Sequence, residues 1–215
     1  MIRSVLPLGF IAASRFFGLF IILPVLSLYA LELDGANEFL AGLTIGAYAI
    51  TQMIFQVPFG SLSDRFGRKF MMCVGLIIFI IGSFICAMAS DIYIMLLGRL
   101  LQGCGAVGAV ATAMISDLVS EDKRSKAMAM MGGMIGIAFA LSMVLSPLLS
   151  REFGLSSLFY LSIIITIFCI FLLFSAVPKE PKIHHHDPKV PLMQLLSQKD
   201  LAIMNLTNLM QKMLM

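Results

Sequence analysis

The stretch GSLSDRFGRKFMMCVGLIIFIIGSFICAMA, Gly60 to Ala89, sets the architecture of this chain. Its first part holds Asp64, Arg65, Arg68 and Lys69, whereas Phe70 to Ala89 carries no charged residue. An uncharged apolar run of roughly 20 residues is what a helix needs to cross a hydrocarbon core about 30 Å thick. A dense charge cluster against such a run marks a membrane span and the polar turn that leads into it. The chain as a whole fits that pattern, with 60% hydrophobic and 13% charged residues and a mean hydropathy of +0.98. Composition of this kind points to a polytopic membrane protein and away from a soluble domain.

Outward from this stretch, the hydrophobic pattern predicts six spans, at about 5–30, 39–59, 70–89, 93–117, 127–149 and 156–177. Short polar breaks separate them. They are ELDGANEF after the first span, the Gly60 segment after the second, SD, SEDKRSK and SREFG. One set of span ends collects Arg3, Arg65, Arg68, Lys69, Lys123, Arg124, Lys126, Lys179, Lys182 and Lys189, and the other only Arg151. Basic residues concentrate on the cytoplasmic side, so the N-terminus and the segment after span six are expected in the cytoplasm. The expected organisation is a six-helix bundle over 1–177 and a Pro- and charge-rich cytoplasmic linker with a short amphipathic helix over 178–200. The stretch 201–215 is expected to be an incomplete start of a seventh span. A weak internal echo, PFGSLSDRFG after span two and PLLSREFG after span five, suggests two inverted triplets of spans.

The net charge of +3 is too small to imply nucleic acid. Cys73, Cys86, Cys104 and Cys169 lie inside apolar runs without CxxC spacing, which indicates buried free thiols. His184, His185, His186 and Asp187 are adjacent in a linker and cannot all face one ion, so no metal is expected. With no nucleophile–base pair either, an enzyme is not expected.

Inside the spans, Arg15 and Arg99 stand out. A central arginine costs roughly 2.5–3.5 kcal/mol on insertion scales, so each is expected to face a cavity or a partner. Snorkelling to the interface is the alternative for Arg99. In span two, Thr44, Tyr48, Gln52 and Gln56 follow at i+4 steps, a polar stripe that lines a substrate path or holds helices together. Gly103, Gly105 and Gly108 in span four form a G-x-G-x-x-G pattern, but mid-span and with no preceding strand it signals close helix packing. Gly136 in span five has the same expected role. Gly60 and Gly67 are expected to free the backbone for a tight reversal between spans two and three.

These motifs resemble the major facilitator superfamily. Gly60, Leu62, Asp64, Arg65, Gly67, Arg68 and Lys69 match its loop signature in order, and RLLQGCGA from Arg99, with Gln102, matches its fourth-helix motif. FFGLFIILPVLSLY is similar to the first helix of its drug:proton antiporters, and the overall pattern is most like their YajR branch. The resemblance implies an all-α fold: the six-helix N-terminal half, built as a 3+3 inverted repeat, with a truncated start of helix seven. It further implies a proton-coupled exporter of small amphipathic compounds in the inner membrane, working by alternating access. A missing C-terminal six-helix half, or a second copy of the chain, would complete it. No cofactor is implied beyond a proton gradient. Asp64, Arg68 and Asp117 would form a conformational latch, and Arg99 would serve proton coupling. Yet no Asp or Glu lies near the middle of any span, so a proton-carrying carboxylate would have to lie elsewhere. Ser142-x-x-x-Ser146-Pro147 resembles the antiporter motif G-x-x-x-G-P with serine for both glycines, which keeps a closely packed, pliable helix. The alternatives are a non-transporting half-length membrane protein, as a relic or interaction subunit, or a transporter of another solute such as an organic anion.

Overall fold

A computed structural model describes residues 2–178, and the linker and seventh-span expectations, with His184–His186 and Asp187, lie outside these residues. Span one comprises α1 (Ile2–Phe20) and α2 (Leu23–Tyr29), and a 3₁₀ turn, Ala30–Glu32, ends it. Span two is α3 (Glu38–Phe66) and span three α4 (Arg68–Ala87). Span four is divided into α5 (Ile92–Cys104) and α6 (Val107–Leu118), span five is α7 (Glu121–Phe153), and span six is α8 (Leu155–Ser175). All six are long and apolar enough to cross a membrane. Among the described residues there is no strand, only an isolated bridge between Asp34 and Asp91.

Local chemistry explains the helix limits. The Asn37 side chain accepts from Leu40 N–H at 2.7 Å, and that of Asp91 from Tyr93 N–H at 2.6 Å, so each caps a helix start. Span one breaks after Phe20 because Pro24 has no N–H to continue the ladder. Span two runs seven residues past its expected end at 59, to Phe66, so most of the charged segment is helix and not loop. Gly60 lies inside that helix, and the reversal falls on Gly67 alone, at φ 99°. No residue from Gly60 to Phe66 is a helix breaker once Gly60 is held by turns on both sides, and Arg65 in the last turn complements the macrodipole. Span five likewise starts at Glu121, with Glu121 and Asp122 in its first turn.

The two turns that carry the sequence echo are alike in structure. Gly67 follows Phe66 and Gly154 follows Phe153; both have positive φ, 99° and 75°, and each is the only residue between two spans. Gly67 N–H donates to the Ser63 carbonyl and Gly154 N–H to that of Ser150. Packing is only partly in keeping with that echo: span one lies mainly against span five, span four lies equally against spans two and three, and spans three and six also meet. Two apolar clusters fill the bundle. One holds Leu8, Met72, Leu76 and Met114, and the other Ile22, Leu26, Ile92 and Phe159. In α1, α4 and α5, the buried polar residues Arg15, Ser83, Arg99 and Gln102 lie between the two clusters.

Candidate functional site

At the basic end of the bundle, one arginine of span three gathers three partners, two from span two and one from span four. Arg68, in the first turn of α4, places Nη1 2.6 Å from Asp64 Oδ1 and donates from Nε to Asp117 Oδ2 at 3.0 Å. Nη1 also donates to Ser63 Oγ at 2.6 Å, and that hydroxyl donates to the Gly60 carbonyl at 2.6 Å. The Arg68 side chain is only 13% exposed, against 21% for Asp117 and 41% for Asp64, so the α6 pairing is the better shielded from solvent. Arg65 is exposed, whereas Lys69 Nζ donates to the Val177 carbonyl just beyond α8. The single-residue turn at Gly67 and these bonds tie the ends of α3, α4, α6 and α8 together. Ser63 was not legible as a member: a serine in a polar segment carries no spacing signal.

The second constellation is the buried polar layer. The break in span four consists of two successive turns closed by i→i+2 bonds. Ala106 N–H donates to Cys104 at 2.9 Å and Val107 N–H to Gly105 at 2.8 Å, with Gly105 and Ala106 near φ −75°, ψ 60–66°. Such a break leaves carbonyls without helical partners. Arg15 answers them: Nη2 donates to Gln102 O at 3.0 Å and Gly105 O at 2.7 Å, and Nη1 donates to the Tyr48 hydroxyl. Its charge thus sits at the C-terminus of α5, where the macrodipole favours a cation. The face of Phe79, 4.3 Å from the guanidinium carbon, adds a cation–π contact.

Arg99 does not snorkel; it is fully buried. Its Nη1 donates to Gln102 Oε1 at 2.8 Å, and Gln102 Nε2 donates to Ser83 Oγ at 2.7 Å. Both guanidinium carbons lie against Tyr48, 5.2 Å from the ring centroid for Arg15 and 5.1 Å for Arg99. The stripe on span two is not one uniform face. Thr44 and Tyr48 are buried, Gln52 is half-buried and Gln56 is exposed. Each i+4 step advances about 40° around the helix, enough over three steps to carry the stripe from interior to surface. Tyr48, Gln52 and Gln56 nonetheless share a cleft of ≈ 410 Å³ with Leu19, Leu23 and Met53.

Glycine packing divides the expected set. A Cβ on Gly103 would overlap the Tyr48 carbonyl, and one on Gly105 the Gly75 carbonyl. Gly108 and Gly136 have no described atom within 4 Å of that position, so they make no close crossing inside this bundle. Glycines 75, 82 and 98 take that part instead: a Cβ on Gly82 would lie 2.6 Å from Gln102 N, and Gly98 faces Cys86. With Gly105, their seven-residue spacing on α4 and α5 is the signal that could have found them. Ser146 is buried and donates to the Ile21 carbonyl at the break in span one, while Pro147 is exposed.

The Major Facilitator Superfamily model matches residues 8–211 of the chain. The inner membrane transport protein YajR of Escherichia coli is 45% identical over 176 residues, covering 82% of this chain and 39% of its own. The class B tetracycline resistance protein of Escherichia coli is 35% identical over 142 residues, covering 64% and 34% respectively. The crystal structure of the POT family transporter PepTSo superposes with a TM-score of 0.73 over 89% of this chain and 40% of its own. At 17% identity, that likeness is one of fold. The chain spans about two fifths of the length of the curated relatives it matches.

Proposed function

The chain belongs to the major facilitator superfamily, and from that premise we propose that it supplies the first six-helix bundle of a proton-coupled exporter of small amphipathic compounds. The exporter works by alternating access, with its N-terminus in the cytoplasm of an inner membrane. A second six-helix bundle, from further sequence or from a second copy of this chain, forms the other wall of the substrate path. Likeness to YajR and to proteins of tetracycline and quinolone resistance supports the exporter class.

The observation that carries this reading is Arg68 held between Asp64 and Asp117. Three span ends are clamped by one partly buried cation, and the clamp breaks cleanly if α6 moves relative to α3 and α4. Such a contact suits a latch in a two-state rigid-body change. Asp64 is the most exposed of the three, which leaves it free to meet a helix N-terminus of the second bundle, where negative charge is favoured. The experiment is Asp64→Asn in everted membrane vesicles. Substrate movement should be abolished with membrane levels unchanged; normal transport would remove the latch.

A further inference from the structure

We propose that the unpartnered edge of Arg99 is a binding site for the carboxylate of a small organic acid. The Arg99 side chain is fully buried, its Nη1 is engaged by Gln102, and its Nε and Nη2 have no hydrogen-bond partner. Those two nitrogens form one side of the guanidinium. Their parallel N–H bonds match the two oxygens of a carboxylate and grip a planar anion better than a spherical one.

The charge has no internal answer. Every Asp and Glu among the described residues lies at a span end, and the ion pairs they form involve Arg68 and Lys123 only. Arg15 also lies against Tyr48 and adds positive charge, though its Nη2 is committed to the broken end of α5 and its Nη1 to the Tyr48 hydroxyl. A buried ion with neither a counter-charge nor a full set of hydrogen bonds is costly, and a bound carboxylate supplies both. Access requires Tyr48 to move. Tyr48 lies against the Arg99 guanidinium and also lines the ≈ 410 Å³ cleft, so an acid in the cleft reaches that guanidinium when the ring turns and its hydroxyl leaves Arg15. The apolar lining from Leu19, Leu23 and Met53 suits a hydrophobic body behind the acid.

This inference rests on the transport reading only for calling the acid a substrate, because binding is measured without transport. The full chain in lipid nanodiscs is equilibrated with radiolabelled benzoate. Saturable binding is expected, displaced by other aromatic carboxylates but not by benzyl alcohol or chloride. Arg99→Gln should weaken it at least about tenfold, since two charge-assisted hydrogen bonds are lost. Arg99→Lys keeps a charge and guards against a misfolded glutamine variant; it should also bind more weakly, lacking the fork. Absence of benzoate binding to the wild type, displacement by chloride as readily as by carboxylates, or unchanged affinity in both variants would each overturn the site. Any of these results leaves the Asp64→Asn transport experiment unaffected, so the two readings fail separately.

Discussion

Arg68 and Asp117 meet at 3.0 Å although 49 residues separate them in sequence, which joins the start of span three to the end of span four. Replacing Asp117 with Asn leaves the mostly buried guanidinium with one exposed acid. Transport is expected to fall sharply with normal insertion. The swap of Arg68→Asp with Asp117→Arg should recover part of the loss, read as initial rates in vesicles at matched expression. Equal rates in the single and double variants would mean the pair is not coupled.

Gly67 and Gly60 should part company. Gly67→Ala forces a Cβ onto a residue at φ 99° and should lower stability by about 1–2 kcal/mol. Gly60→Ala sits in a helix with nothing within 4 Å of the new methyl, and should be neutral or stabilising by about 0.5–1 kcal/mol. Unfolding midpoints in a detergent titration distinguish the two.

The same comparison applies in span four. Gly105→Ala drives a methyl into the Gly75 carbonyl, where backbone cannot yield cheaply, whereas Gly108→Ala meets open space. Loss of monodisperse protein on size exclusion is expected for the first and not for the second.

Ser146→Ala should cost about 1 kcal/mol, because the Ile21 carbonyl at the break in span one then loses its donor inside the bundle. Ser146→Thr, which keeps the hydroxyl but adds a methyl to a fully buried position, should cost more. Thermal unfolding in detergent micelles reads both. If Ser146→Ala melts with the wild type, the hydroxyl does not hold the break.

Much of this fold was legible because lipid imposes a simple rule. A run such as Phe70–Ala89 crosses the membrane whatever its neighbours do, and clustered charge such as Arg68–Lys69 marks its end. Where spans stop was less legible, since charged residues at a helix end resemble a loop in sequence; Ser63 to Phe66 and Glu121 to Lys126 are helical. The site was half legible. Arg15 and Arg99 are conspicuous in apolar surroundings, but their common contact with Tyr48 depends on how spans one, two and four cross. The break at Gly105 that Arg15 fills lies against Gly75, a close approach that the seven-residue glycine spacing hints at, whereas the break itself has no local pattern.

The one-residue connections at Gly67 and Gly154 bear on how the chain enters the bilayer. With one residue between them, the end of span two and the start of span three stay adjacent at every stage of insertion. Spans two and three are therefore expected to partition into lipid as a joined pair, and so are spans five and six. On that expectation biogenesis proceeds in steps of hairpins, and a lesion in either glycine bears on two spans at once.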